Sequence, residues 1–91
     1  MDVMVRVPSS LKKWFEGRDE VLCQGETVGE CIGSLVGSFP GLKHRLQDGE
    51  GGINSDVLVF LNGENIQGLK EGMTPVRPGD VIGIIPFAAG G

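Results

Sequence analysis

The segment PGDVIGIIP, residues 78–86, is the most informative part of this sequence for predicting its fold. Its first three residues are typical of a tight turn, and the apolar run that follows predicts a strand over 81–86. Pro86 ends this strand because proline has no N–H to donate to a sheet. If Ile82 and Ile84 point into the core, the alternate residues lie on the opposite face. Those residues are Val81, Gly83 and Ile85.

Several earlier segments also have strand character. VMVRV (3–7) alternates apolar and other side chains, which predicts a half-buried strand, and DEVLCQ (19–24) predicts a second one. Between them, Trp14 is expected to pack against the core. VLVFL (57–61) is continuously apolar, as is typical of a central strand, and a short edge element is expected around 64–67.

The segment GETVGECIGSLVGSFPG, 25–41, predicts the main helix. Thr27 can cap its first turn, since Glu30 follows at the spacing of a capping box, and Phe39 and Pro40 close it. The apolar positions form one face: Val28, Cys31, Ile32, Leu35 and Val36. We interpret the glycines on this helix as marking its close approach to a sheet: Gly29, Gly33 and Gly37.

The order strand, strand, helix, strand, short strand, strand predicts an α+β fold. One helix laid across a mixed sheet of four or five strands is the β-grasp arrangement, in which a helical crossover lets the first and last strands lie parallel. We expect this domain to span residues 1–86. Residues 87–91 are expected to form a flexible C-terminal tail that ends in Gly-Gly.

Composition excludes several classes of function. The 91 residues are 40% hydrophobic and 22% charged, which predicts a single folded domain. The net charge is −4 and no basic run is present, so a nucleic-acid partner is not expected. No leader peptide or membrane-length apolar run is evident, so we expect a cytoplasmic protein without a membrane partner. Cys23 and Cys31 are interpreted as reduced, structural thiols.

The side chains offer little catalytic chemistry. His44 is the only histidine, so no His-based metal cluster is possible, and we expect no metal site. Motifs of serine hydrolases and phosphate-binding loops are absent from the sequence. The acidic pairs at 19–20 and 48/50 are interpreted as solvated charge. The chain is therefore not predicted to be an enzyme by itself.

The end of the sequence, FAAGG, suggests a different kind of chemistry. Five extended residues reach about 17 Å, enough to enter the active site of another protein. Gly90 and Gly91 lack Cβ atoms and can pass a narrow channel. A carboxylate at Gly91 is a poor electrophile until a partner converts it to an acyl-adenylate with ATP. A sulfur nucleophile would then leave a thiocarboxylate, and an amine would leave an amide.

Three parts of the sequence resemble one known family. The PGD turn, the apolar last strand, Pro86 and the closing GG are similar to the MoaD/ThiS-type ubiquitin-like sulfur carriers. This family includes the small subunit of molybdopterin synthase and carriers for thiamine and cysteine biosynthesis. LVGSFPGL (35–42) resembles the end of the family's helix, and VFLNGENI (59–66) its central strand and turn. The resemblance spans nearly the whole chain.

The resemblance implies a ubiquitin-like β-grasp fold and a set of partners. An adenylyltransferase related to ubiquitin-activating enzymes would use ATP, and the carrier itself would hold no permanent cofactor. A sulfurtransferase or cysteine desulfurase would supply sulfur, and an acceptor synthase would receive it. Gly91 corresponds to the acceptor carboxylate and Gly90 to its neighbour in the tail. The chain would be at most the small subunit of a synthase, and molybdopterin is slightly favoured as the pathway.

The predicted docking surface combines the last strand and the tail. Ile85 is expected to join Phe87, and Phe60 if it is not in the core, in an exposed apolar patch continued by Ala88 and Ala89. Two alternatives stay open. The chain could be a ubiquitin-like modifier joined to lysines through Gly91, or a non-covalent interaction subunit that does not use the carboxylate.

Overall fold

A five-stranded mixed sheet forms the frame of the protein. The computed structural model describes residues 2–50 and 52–86. The strands are β1 (Asp2–Arg6), β2 (Glu20–Gln24), β3 (Val57–Leu61), β4 (Glu64–Asn65) and β5 (Val81–Pro86), in the spatial order β2-β1-β5-β3-β4. β1 and β5 are parallel, with Met4 opposite Val81 and Arg6 opposite Gly83. The predicted α+β, β-grasp fold is confirmed.

The main helix is α1 (Val28–Ser38), and Thr27 caps its first turn as predicted. The Glu30 N–H donates to Thr27 Oγ1 at 3.2 Å, and the Glu30 carboxylate accepts from the Glu26 N–H at 2.8 Å. The reciprocal bond thus reaches one residue further upstream than in a standard capping box. The remaining helical elements are α2 (Lys43–Leu46) and 3₁₀ helices at Ser9–Phe15, Pro40–Leu42, Ile66–Gly68 and Glu71–Met73.

The core lies between one face of the sheet and the helices. Alternate strand residues point into it, among them Val3, Val5, Val21, Cys23, Val59, Ile82 and Ile84. The helices contribute Phe15, Val28, Cys31, Ile32, Leu35, Leu42 and Leu46. Since the helical elements that supply the core pack on this one face, the side chains between the buried strand positions are left on the outside.

The interpretation of the helix glycines is wrong. A Cβ on Gly29 would lie 3.0 Å from the Gly72 carbonyl oxygen, so this glycine permits close contact with the 3₁₀ helix at Glu71–Met73. A Cβ on Gly33 would come no closer than 4.0 Å to Gln47, and one on Gly37 would meet no atom within 4 Å. The helix therefore needs one glycine for packing against a loop segment, not three for packing against the sheet.

Candidate functional site

Strand β5 ends in the middle of the sheet. It lies between β1 and β3, and its last residue, Pro86, is opposite Val57 at the start of β3. The chain therefore leaves the sheet from an interior strand. The predicted tail and its candidate residues lie outside the described residues: Phe87, Ala88, Ala89, Gly90 and Gly91.

The alternation predicted for β5 is confirmed. Ile82 and Ile84 are 0% and 2% exposed, whereas Ile85 on the opposite face is 50% exposed. Because side chains on a strand alternate between faces, Val81 and Gly83 share the outer side with Ile85. An isoleucine this exposed, next to the end of the last strand, is available for contact with another protein.

Phe60 lies on the same outer face and is half-buried, so it is not a core residue. It stands opposite Gly83 in the β3–β5 pair. Phe60, Gly83 and Ile85 line a shallow depression of about 660 Å³. The structure thus brings together Phe60 and Ile85, the two described members of the predicted patch.

The apolar surface includes more residues than the sequence predicted. Leu58 lies opposite Ile85, and Met4 lies between Val81 on one side and Leu22 on the other. Leu22 is 65% exposed. We call this surface the outer apolar face: Met4, Leu22, Leu58, Phe60, Val81 and Ile85. The position of Met4 on the outer face could have been predicted, because it alternates with the buried residues of the first strand. Its contacts with Val81 and Leu22 could not, because they depend on the order of the strands.

The two cysteines are free and buried in the core, Cys23 on β2 and Cys31 on α1. Burial raises the pKa of the Cys23 thiol to about 12, and the neighbouring Cys31 adds to the effect. Burial likewise raises the pKa of Cys31. The Cys23 thiol donates to the Val3 carbonyl oxygen at 3.4 Å. Because a thiolate is the reactive form, both side chains are poor nucleophiles at neutral pH.

The polar candidates are dispersed. His44 is exposed, and Asp48 accepts from the Glu50 and Gly52 N–H groups, each at 2.8 Å, which gives this carboxylate a role in shaping its own loop. Within residues 2–50 and 52–86, no group of three or more His, Cys, Asp or Glu side chains is arranged to hold a metal ion. No helix in that part of the chain has the length and apolar character needed to cross a membrane.

Comparison with known proteins identifies the family. A sequence model of the ThiS family matches residues 5–91. The chain is 30% identical to the sulfur carrier protein CysO of Mycobacterium tuberculosis over 93 residues, covering all of both chains.

Solved structures agree with this similarity. A chain in the Amycolatopsis orientalis BexX/CysO complex is 30% identical, with a TM-score of 0.87 over 98% of this chain and 99% of that one. Small archaeal modifier protein 1 of Methanosarcina acetivorans is 28% identical, with a TM-score of 0.85 over 99% of this chain and 96% of that one. The β-grasp fold, the matched family sequence and these similarities lead to one conclusion: the chain belongs to the ThiS family of ubiquitin-like sulfur carriers.

Proposed function

We propose that this protein carries sulfur as a thiocarboxylate at Gly91. The observation that supports the proposal best is the combination of a family match that runs through Gly91 with an apolar face next to Pro86. A partner that binds the outer apolar face would hold the domain beside the point where the chain leaves the sheet. The residues after Pro86 would then enter that partner's active site.

The chemistry proceeds in two stages. A carboxylate oxygen of Gly91 attacks the α-phosphorus of ATP and displaces pyrophosphate, which gives an acyl-adenylate. A sulfur nucleophile then attacks the acyl carbon, and AMP leaves. Hydrosulfide gives the thiocarboxylate directly. A persulfide from a sulfurtransferase or cysteine desulfurase gives an acyl disulfide, and a second thiol must cleave its S–S bond to release the thiocarboxylate.

The thiols of this protein are unsuited to carry the sulfur themselves. Cys23 and Cys31 are 2% and 0% exposed, and their pKa values are raised by burial. The proposed activating enzyme is an adenylyltransferase related to ubiquitin-activating enzymes, and it supplies the ATP site. We place Phe60 and Ile85 in its docking surface, continued by Phe87, Ala88 and Ala89.

The acceptor is proposed from the comparisons. The sequence slightly favours molybdopterin, but the molybdopterin converting factor among the similar structures is 23% identical, a level that supports the fold alone. The curated relatives at 30% identity are CysO sulfur carriers. We therefore propose an acceptor synthase of amino-acid biosynthesis, in preference to molybdopterin synthase.

A second function, as a protein modifier, is favoured by a specific similarity. The Methanosarcina structure, at 28% identity, is of a small archaeal modifier protein. The same acyl-adenylate would serve this role if a lysine amine displaced AMP and left an amide.

Intact mass spectrometry separates these functions. The chain is incubated with the adenylyltransferase of its organism, ATP and sulfide. A mass gain equal to the replacement of one oxygen by sulfur, located at Gly91, is expected for the carrier. A matched variant with one alanine added after Gly91 should show no gain. Lysine adducts without the sulfur gain would favour the modifier, and an unchanged mass with no adducts would contradict both functions.

A further inference from the structure

Two cations lie over the ring of Trp14. The Arg45 guanidinium lies 4.3 Å from the centroid of the Trp14 ring, and Lys13 Nζ lies 5.6 Å from it. We call Lys13, Trp14 and Arg45 the basic cluster. Gly41 lets the ring pack closely, since a Cβ there would lie 3.2 Å from Trp14 Cε3.

The elements that carry the basic cluster connect to the end of the sheet at which β5 ends. The 3₁₀ helix Ser9–Phe15 begins shortly after β1, which runs parallel to β5, so β1 and β5 end at the same end of the sheet. Arg45 is on α2, which two hydrogen bonds from Asn54 hold in place. The Asn54 side-chain amide donates to the His44 carbonyl at 3.1 Å, and the Asn54 backbone N–H donates to the Leu46 carbonyl at 2.8 Å. These bonds hold α2 near the start of β3, which pairs with Pro86.

The positive charges of the basic cluster are not neutralised locally. In the described part of the chain the salt bridges are Arg6 with Glu20 and Lys12 with Asp19, and neither Lys13 nor Arg45 takes part. Both cations are exposed. Two like charges over one ring repel each other, and the cation–π contact contributes only about 0.5–1 kcal/mol at an exposed site. Carboxylates of a partner that contact the two cations would offset this repulsion.

The Trp14 side chain contacts the two cations through the face of its ring and not through a hydrogen bond from its N–H group. Trp14 Nε1 is buried, and it has no hydrogen-bond partner within residues 2–50 and 52–86. An arginine guanidinium in contact with an aromatic ring can still donate its N–H groups to a carboxylate. The contact with Trp14 restrains Arg45 and leaves its guanidinium available to a partner.

We propose that the basic cluster contacts a protein surface rich in Asp and Glu, located beside the channel that receives the residues after Pro86. This proposal rests on the proposed function and adds to it a second, electrostatic contact. The basic cluster is on helical elements that pack on the inner side of the sheet, and the outer apolar face is on the opposite side. The partner would therefore contact both surfaces around the end of the sheet from which the chain leaves at Pro86.

A carboxylate surface fits better than a nucleic acid. The protein carries a net charge of −4, and a polyanion would be repelled at long range by the rest of the molecule. A local acidic surface needs only the few cations that the basic cluster provides. Such complementary charges mainly raise the rate and specificity of association.

Charge reversal tests the proposal. The cluster variant combines Lys13→Glu and Arg45→Glu. The control variant combines Lys70→Glu and Arg77→Glu, which reverse the charge of two exposed cations outside the basic cluster. With the adenylyltransferase, we expect the cluster variant to raise the KM for the carrier about tenfold at low salt and leave kcat unchanged. The KM of the native chain should rise with salt more steeply than that of the cluster variant.

Equal KM values for the two double variants would refute the proposal. Circular dichroism and urea unfolding verify that each variant is folded, and Lys13→Glu alone replaces the double variant if the latter is not. If the native chain is not adenylated at all, the proposed function fails. A direct binding titration can then still show whether the basic cluster binds acidic protein surfaces.

That titration uses Trp14, the only tryptophan, as the fluorescent reporter. A short peptide with a few adjacent Glu residues should change its emission in the native chain and have no effect on the cluster variant. An oligonucleotide that binds at the same ionic strength while the acidic peptide does not would overturn the acidic-protein assignment.

Discussion

Leu58 on β3 lies directly opposite Ile85 on β5, one position before Val57 and Pro86 complete the pairing of these strands. The two side chains share the outer face of the sheet, and Ile85 is 50% exposed. This pair places apolar surface next to the residue from which the chain leaves the sheet. It connects the docking surface to the proposed chemistry at Gly91.

We expect Ile85→Asp to raise the KM for the carrier in adenylation about tenfold, because a carboxylate in an apolar contact must lose its hydration. The urea midpoint should change little, since Ile85 is half exposed. Met73→Asp is the matched control, because Met73 is 74% exposed and lies away from the outer apolar face. Similar KM values for the two variants would remove Ile85 from the docking surface.

Thr27→Ala should lower the free energy of unfolding by about 1 kcal/mol, since it removes the oxygen that accepts from the Glu30 N–H at the start of α1. Thr27→Ser keeps that oxygen and should retain most of the stability. Urea unfolding followed by circular dichroism measures both. Equal losses in the two variants would show that the threonine methyl group, and not the cap, is responsible.

Two glycines on α1 should respond to alanine in opposite directions. Gly37→Ala places its methyl group in open space and should stabilise the protein by about 0.5–1 kcal/mol, as expected for alanine in a helix. Gly29→Ala puts a Cβ 3.0 Å from the Gly72 carbonyl oxygen, so this gain should be lost or reversed. Thermal unfolding of the two variants tests the difference, and equal stabilisation would mean that the Glu71–Met73 segment shifts freely.

The buried thiols predict a loss of stability at alkaline pH. The Cys23 thiol ionises near its ordinary pKa of 9.0 in the unfolded chain, whereas burial holds its pKa at about 12 in the folded protein. Stability is therefore complete below pH 9 and falls by about 1.4 kcal/mol per pH unit for this one group as the pH rises toward 12. Cys31 acts in the same direction.

Urea unfolding at several alkaline pH values measures this slope. Cys23→Ala should reduce the slope even though it lowers the overall stability. The chain has no tyrosine, so tyrosine ionisation does not complicate the comparison. An unchanged slope in Cys23→Ala would contradict the raised thiol pKa.

Elements with strong local signals were predictable from the sequence. The turn before Val81, the break at Pro86 and the Thr27 cap are each determined by residues close together in the chain, and the structure has β5 and α1 where these signals indicate. The helix α2 was not predicted. Its span of four residues is too short to show a helical period.

The candidate site was predictable only where one strand determined it. Alternation along β5 was sufficient to place Ile85 on the outer face. The strand order and register place three further residues on that face: Met4, Leu22 and Leu58. Order and register depend on pairing between distant segments, so local patterns do not predict them. The contact between Trp14 and Arg45 likewise joins segments that are distant in the sequence, and no local pattern indicates it.

The interior position of β5 has a mechanical consequence. A partner that draws the chain outward from Pro86 along the strand direction loads the ladders with β1 and β3 in shear, where many hydrogen bonds resist together. At a sheet edge, the same pull could separate one bond after another. A pull on the chain beyond Pro86 is thus resisted by both ladders together, and the domain is protected against unravelling from this strand.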